Sequence, residues 1–326
     1  MRQSGVLLLR NIASYSLFGL LVVGTAGQLV RDRSLLLMLA MFVPLAPVAL
    51  VALLWDILLL GHAVRVRWLL SAVAVGCGVI GASWLWSPAL TPELGGEHAH
   101  LRVVQWNTMW GGRSTAAFLH ILDRLDAEQP DIVCLSEAPD TERLTRGIRK
   151  RHADWSVVTA SNHGGGSYWY NLAVVSRYPV QLTGVEKLAR GRLAWFDVAH
   201  PTRVVRIALV DLLSSPLSPR SPSIEQAAKL VEARAKSGEP IDLVLGDFNT
   251  PGRFLGFEAL ERAAGGYRRA ALWSGEWRAT WPSFSPLGIF DIDHVWISSR
   301  LQIRDASFFT TLSTDHRGAR VDLGLQ

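Results

Sequence analysis

An α/β domain of packed sheets with helices outside, preceded by three helices that cross a membrane, is the architecture that this 326-residue chain predicts. Three observations predict it. The first 90 residues hold three long uncharged runs. Residues 87–100 (SPALTPELGGEHAH) are rich in Pro, Gly and polar residues without periodicity. From Leu101 onward, short Val/Ile/Leu runs alternate with longer amphipathic stretches.

The N-terminal elements are predicted by absence of charge. None lies between Arg10 and Arg31, none from Ser34 to Trp55, and none from Trp68 to Trp86. Each run approaches the ~20 residues that an α-helix needs to span a bilayer. A soluble core would have to bury three consecutive uncharged helices entirely. Residues 11–30, 34–55 and 68–86 are therefore expected to cross the membrane, making 1–86 a membrane domain. The first run is diluted by Asn11, Ser14, Ser16 and Gln28, and Thr25-Ala26 also suits a signal-peptide cleavage site.

Orientation follows from Lys and Arg in short loops. Arg2 and Arg10 precede the first run, and Arg65 and Arg67 separate the second from the third. Arg31 and Arg33 occupy the other loop, and no Lys or Arg lies between Ser87 and His100. The N-terminus is expected in the cytoplasm, and everything after Trp86 outside it, on a multi-pass inner-membrane protein. Cys77 lies in the third run and Cys134 in the apolar PDIVCLSE, so two buried thiols are expected and no disulfide framework.

After the linker, residues 101–326 form the second domain. LRVVQWN, DIVCLSE, YNLAVVS, RVVRIALVDLL, IDLVLGD, FDIDHVWIS and ARVDLGL read as strands. AAFLHILDRLDAEQ and IEQAAKLVEARAK read as helices, with apolar spacing of three and four as at Phe118, Leu119, Leu122 and Leu125.

The informative polar residues cluster at the ends of those strands. Asn107 closes the first and Glu137 the next. Asp247 and Asn249 close VLGDFNTP, Asp293 lies in FDIDHVWIS, and Asp315-His316 precede the last strand. Loops at sheet ends are where a rigid scaffold converges groups from distant positions. The set is rich in oxygen and has no Cys, which suits Mg²⁺ or Mn²⁺, ions commonly shared between carboxylates and substrate phosphates. A phosphoester hydrolase is the reaction class implied. Taken singly, each element is more often a surface turn than a site.

LRVVQWN, PDIVCLSE, NLAVVSRYP, VLGDFNTP, ATWP with FDIDHVWIS, and STDHR, in that order, resemble the endonuclease/exonuclease/phosphatase superfamily. That group includes DNase I-like nucleases, abasic-site endonucleases, neutral sphingomyelinases and inositol-phosphate phosphatases. The likeness spans 101–326, and the layout is similar to that of membrane-anchored bacterial members with three N-terminal helices. The resemblance implies a four-layer α/β sandwich, two mixed sheets face to face with helices outside, and a divalent-metal site at one edge. Glu137 would be the chief metal ligand, assisted by Asn107 and Asp315. Asp293 would hold and charge His316, which contacts the phosphate. Asp247 would deprotonate a water while Asn249, two residues on in an extended segment and so on the same side, holds a phosphoryl oxygen.

One position departs from the pattern. Where many nuclease and sphingomyelinase members carry His, RIALVDLLSSP has Asp211. A carboxylate beside a phosphate is repulsive unless a metal or proton intervenes, so Asp211 recruits a second cation, is protonated, or marks a site without activity. Arg177 in SRYP either faces the phosphate or is a surface ion-pair partner. His163 in the glycine-rich SNHGGGSYWY either covers the substrate or lies in a plain turn, and Asp291 reads as turn-capping.

Residues 101–326 carry 27 Lys and Arg against 24 Asp and Glu, with no basic block to track a phosphate backbone. Location then favours a lipid head group or lipid-linked phosphate at the bilayer, with nucleic acid as the alternative substrate and no protein partner evident. Three readings follow: a membrane-proximal metal-dependent phosphodiesterase or phosphatase, an extracytoplasmic nuclease, or an inactive membrane-bound binding module.

Overall fold

The computed structural model describes residues 2–58, 66–92, 99–160, 171–264, 266–283 and 288–325. The chain divides into two units, Met1–Ser87 and Pro88–Gln326.

The first unit is helical: α1 (Arg2–Val30), α2 (Leu35–Met41), α3 (Leu45–Leu58) and α4 (Val66–Leu85). Leu21, Leu45, Ala49, Ala52, Leu70, Ala74 and Cys77 bring α1, α3 and α4 into one apolar core. Small residues permit the close approach: a methyl on Gly78 would meet Ala49 at 3.1 Å, and one on Gly81 would meet Leu45 at 2.8 Å.

Of the three membrane-spanning helices expected, the structure supports one outright. Among the described residues one helix, Leu8–Val30, is long and apolar enough to cross a membrane by itself. The second run breaks into α2 and α3, bent by 65°. The cause is Phe-Val-Pro-Leu-Ala-Pro at 42–47: Pro44 lacks an N–H and disfavours helical backbone at Val43. Ser34 Oγ caps the short α2 by accepting from Leu37 N at 3.3 Å. The third run gives an apolar stretch of only Leu69–Leu85, shorter than the ~30 Å of bilayer hydrocarbon at 1.5 Å per residue.

The second unit contains two six-stranded mixed sheets. Its strands are β1 (Ala99–Asn107), β2 (Ile132–Ser136), β3 (Ser156–Thr159), β4 (Ala173–Ser176), β5 (Val180–Leu188), β6 (Gly191–Ala199), β7 (Val204–Leu212), β8 (Leu243–Asp247), β9 (Arg268–Arg269), β10 (Asp293–Ile297), β11 (Leu301–Phe309) and β12 (Gly318–Leu325). The first sheet runs β11-β12-β1-β2-β4-β3 and the second β5-β6-β7-β8-β10-β9. β1 pairs parallel with β2, and β7 with β8.

Alternation explains the layers. Leu101 and Val103 of β1 and Ile132 and Cys134 of β2 join Phe196, Ile207, Leu209, Leu243 and Leu245 of the second sheet in one core. The intervening Val104, Trp106, Val133 and Leu135 face outward onto α5 (Thr115–Glu128) and α6 (Thr141–Arg149), which contribute Phe118, Ile121, Leu122, Leu144 and Ile148. α7 (Ser221–Lys236) buries Ile224, Ala227 and Val231, and its Arg234 lies 4.7 Å over the Trp195 ring of β6. The short α8 (Phe257–Arg262) follows β8. Helix, sheet, sheet, helix is the four-layer order expected. Cys77 and Cys134 are free and buried.

Candidate active site

The two parallel pairs end at the same place. Parallel register sets Asn107 beside Ser136 and Asp211 beside Asp247, and antiparallel pairing sets Asp293 beside Asp247. Register partners on adjacent strands project to one face, so Asp211, Asp247 and Asp293 form a row across β7, β8 and β10. Asn107 and Glu137 answer it from the first sheet. Asn107 Nδ2 donates to Asp247 Oδ2 at 2.9 Å, and Asp247 N donates to Ser136 Oγ at 3.2 Å, tying the sheets together.

His316 stands over this row. Its Nδ1 lies 2.8 Å from Asp293 Oδ2, its Nε2 3.9 Å from Asp247 Oδ2 and 4.0 Å from Asp315 Oδ1. Burial pulls its pKa down, but the Asp293 charge and hydrogen bond, with Asp247 and Asp315, prevail and raise it to about 10. The imidazole is therefore cationic at neutral pH, donating Nδ1–H to Asp293 and presenting Nε2–H to the site. Gln105 Nε2 donates to Asp293 Oδ1 at 3.3 Å, and the Asp293 N–H donates to Thr280 Oγ1 at 3.1 Å, so the acid is fixed.

Burial raises the Asp247 carboxyl to about 7, helped by the Asp293 charge and opposed by His316, Asn107 and the Asn249 N–H. A carboxylate poised there can accept a proton at neutral pH. Burial also raises Glu137, while His316 and Asn107 lower it. Asp211 is 2 % exposed, and its Oδ2 has no hydrogen-bond partner in the protein. Burial, Asp247 and Glu137 hold it well above the usual carboxylate range.

The donor set fits a divalent cation. Five carboxyl groups, Glu137, Asp211, Asp247, Asp293 and Asp315, converge on one imidazolium, an excess of oxygen and negative charge that a hard cation satisfies. Asp247, Asp293 and His316 each offer one ligand atom within 4.8 Å of the others, and that group can hold a metal ion. His316 Nδ1 is committed to Asp293, while Glu137 is half-buried and Asp315 more exposed. Trp281 Nε1 donates to Asp315 Oδ2 at 3.2 Å and orients it.

Asn249 departs from its expected role, Arg177 takes the ion-pair reading of its two, and Asp291 keeps a structural role. Asn249 is not extended: its φ is 47°, its N–H donates to Asp247 Oδ1 at 2.7 Å and its Nδ2 to Leu212 O at 2.8 Å. The Asp side chain caps its own turn two residues on, so Asn249 braces Asp247 and ties the end of β8 to β7 instead of reaching for a phosphoryl oxygen. Arg177 follows β4, which is antiparallel to β2, and its Nε pairs with Asp131 Oδ1 at 3.1 Å. Asp131 precedes β2 and Glu137 follows it, which puts Arg177 at the far end of the strand from the site. Asp291 pairs with Arg269 and accepts from Gly252 N, a structural role. His163 lies outside the described residues.

Four supports were missed: Gln105, Thr280, Thr314 and Arg220. Thr314 Oγ1 donates to Asn107 O at 3.0 Å and accepts from His316 N at 3.3 Å. Its place beside Asp315-His316 was the available signal, as was that of Thr280 in ATWP. Arg220, 1 % exposed, donates to Leu213 O, Ser215 O and Ser218 O from within a Pro/Ser loop that carries no periodic signal.

Comparison with curated proteins gives no match. Among solved structures, the catalytic domain of human Nocturnin with a bound sulfate anion is 18% identical, covering 70% of this chain and 95% of that one, with a TM-score of 0.54. D. rerio TDP2 complexed with single-strand DNA product is 14% identical, at 69% and 99% coverage and a TM-score of 0.52. A mannosyl-6-phosphatase of Bacteroides thetaiotaomicron is 13% identical, at 68% and 99% coverage and a TM-score of 0.53. These likenesses concern the fold. The Endonuclease/Exonuclease/phosphatase family model matches residues 104–316, from the middle of β1 through His316. The strand-end acids, the Asp293–His316 pair and a match over well over half of its length together place this chain in the Endonuclease/Exonuclease/phosphatase family.

Proposed function

We propose that residues 101–326 are a divalent-metal-dependent phosphoester hydrolase, held at the cytoplasmic membrane by the N-terminal helices with its site outside the cytoplasm. Its substrate is a phosphodiester or phosphorylated head group near that membrane. The observation that carries the reading is the 2.8 Å Asp293–His316 pair facing Asp247 across 3.9 Å, with Asn107 bonded to Asp247.

Asp247 takes the proton of the attacking water, its other contacts keeping the carboxylate aimed. His316, held cationic by Asp293, stabilises charge that grows on the phosphoryl oxygens as the P–O bond to the leaving group breaks. Mg²⁺ or Mn²⁺ held by Glu137, Asn107 and Asp315 would polarise and neutralise the phosphate. Support for the enclosing membrane is the apolar α1 and the many outward-facing side chains of the first unit, among them Leu9, Leu36, Leu50, Leu58 and Val79.

The test is a panel assay of the full chain with Mg²⁺ or Mn²⁺ against a soluble phosphodiester dye, sphingomyelin, a polyprenyl pyrophosphate, and single-stranded and plasmid DNA. Metal-dependent turnover that falls at least about 100-fold in Glu137→Gln, the scale of losing one charged transition-state contact, supports the reading. No turnover anywhere would leave an inactive binding module. Nicking of DNA without release of lipid phosphate would make the protein a nuclease.

A further inference from the structure

Six large apolar side chains stand exposed among the described residues of the second unit: Leu90, Trp110, Leu119, Val204, Leu217 and Leu312. Three of them sit on the loops that carry the site. Trp110 follows Asn107, Leu217 follows Asp211, and Leu312 precedes Asp315 and His316. Leu312 is 94 % exposed and Leu217 66 %.

These loops are built, so the exposure is not fraying. Arg220 gathers the carbonyls of Leu213, Ser215 and Ser218 and leaves Leu217 on the outside of the turn. Ser283 Oγ donates to Thr314 O at 2.5 Å, and Thr314 Oγ1 donates to Asn107 O, fixing the segment below Leu312. The loops of Trp110 and Leu312 touch: a methyl on Gly112 would lie 2.8 Å from Ser313 O.

Trp110 is also held against local preference. Met109, Trp110, Gly111 and Gly112 have φ of 46°, 55°, 83° and 73°. The left-handed region is strained for a bulky residue, and such strain persists where the surroundings over-determine it. Here Trp110 N donates to Glu137 O at 2.6 Å and Met109 N to Asn107 Oδ1 at 2.9 Å. These backbone bonds hold Trp110 beside Glu137 with 37 % of the residue exposed, whereas Trp106 and Trp296 are fully buried. Arg113 is exposed beside it, and Arg143 Nη2 reaches Ser114 O at 3.0 Å.

We infer that Trp110, Leu217 and Leu312 form an apolar collar that rests on an anionic bilayer, so that the site receives a phosphoester whose head group stands at that surface. This rests on the membrane-proximal reading of the site. Amphipathic rings and leucines with neighbouring Arg are the composition that settles into a lipid interface. The apolar α1 of the same chain puts a bilayer within reach as the occupant.

The experiment uses the full chain in nanodiscs of phosphatidylglycerol and phosphatidylethanolamine. Leu312→Cys and, separately, Leu217→Cys are labelled with an environment-sensitive fluorophore, the native Cys77 and Cys134 being buried. Val204→Cys, at the start of β7 where Asp211 marks the end, is the reference. At 312 and 217, doxyl-labelled lipid should quench at least about two-fold more than at 204, and aqueous iodide correspondingly less. Replacing phosphatidylglycerol by phosphatidylcholine should weaken the lipid quenching. Iodide quenching at 312 and 217 equal to that at 204, or shielding by single-stranded DNA and not by lipid, overturns the collar. Turnover of the soluble phosphodiester by Val204→Cys is scored separately: its absence sinks the hydrolase reading, and a water-exposed collar alone does not.

Discussion

His294 lies against the Phe248 and Phe257 rings with its Nε2–H donating to Thr250 O at 2.8 Å, and burial lowers its pKa from 6.5 to about 4. Between those values the unfolded chain binds a proton that the folded one refuses. His294 therefore contributes stability that is complete above about 6.5 and lost as pH falls through about 4, on the order of 3 kcal/mol in all. Asp211 acts with the opposite sign. Its carboxyl is raised above 3.8, so its burial costs nothing below that value and costs progressively more as pH rises toward the folded pKa. Chemical unfolding from pH 4.5 to 7.5 should show His294→Gln gaining on the wild type toward acid, and Asp211→Asn gaining toward neutral pH. Differences that stay constant across that range would mean that neither group titrates as its surroundings dictate. Much of the site was legible at this scale, because acids and amides that end apolar runs have few other reasons to gather. Asn249 was misread because a side-chain cap to its own backbone is indistinguishable in sequence from an extended pair. Arg177 stayed open between two readings because which end of β2 it faces is set by the antiparallel pairing of β4.

At the scale of elements, the site depends on two parallel strand pairs ending together, and one glycine sets the closer approach. Gly246 of β8 has φ 137°, and a methyl there would fall 1.9 Å from Val210 O of β7. A side chain at 246 must push β8 from β7 and carry Asp247, its next residue, away from Asn107 and His316. Gly246→Ala should cost on the order of 3 kcal/mol in urea unfolding, the range of strain at a special backbone position combined with overpacking. What remains folded should lose turnover. A variant with the wild-type midpoint and rate would show that the strands separate without consequence. The glycine was visible in VLGDFN, but not its reason, since φ and cross-strand distance belong to the pairing of β7 with β8. The strands were legible from their Val, Ile and Leu, and α5 from its three-four spacing. The bend between α2 and α3 was overlooked although Pro44 and Pro47 announced it, because absence of charge was weighed above local backbone chemistry.

For the whole molecule, on the proposed membrane-bound reading, the bend turns topology into a question of parity. If α2 and α3 together cross the bilayer, the chain crosses three times and the catalytic unit lies opposite the N-terminus. If the bent pair re-enters on one face, it crosses twice and both ends share a side. The arginines decide between these. With three crossings, Arg2, Arg10, Arg65 and Arg67 lie in the cytoplasm, against Arg31 and Arg33 outside. With two crossings and the N-terminus inside, Arg31, Arg33, Arg65 and Arg67 all lie outside, against Arg2 and Arg10. The first arrangement obeys the preference for cytoplasmic Arg and the second inverts it. α4, whose apolar stretch Leu69–Leu85 is short, can still cross, because local thinning of the bilayer accommodates a few ångströms of mismatch at modest cost. Alkaline phosphatase fused after Gln326 should therefore be active in cells and green fluorescent protein dark, with the same pattern after Arg33 and the reverse after Arg67. An active phosphatase after Arg67 together with a fluorescent C-terminal fusion would make α2 and α3 a re-entrant pair and move the hydrolase site into the cytoplasm.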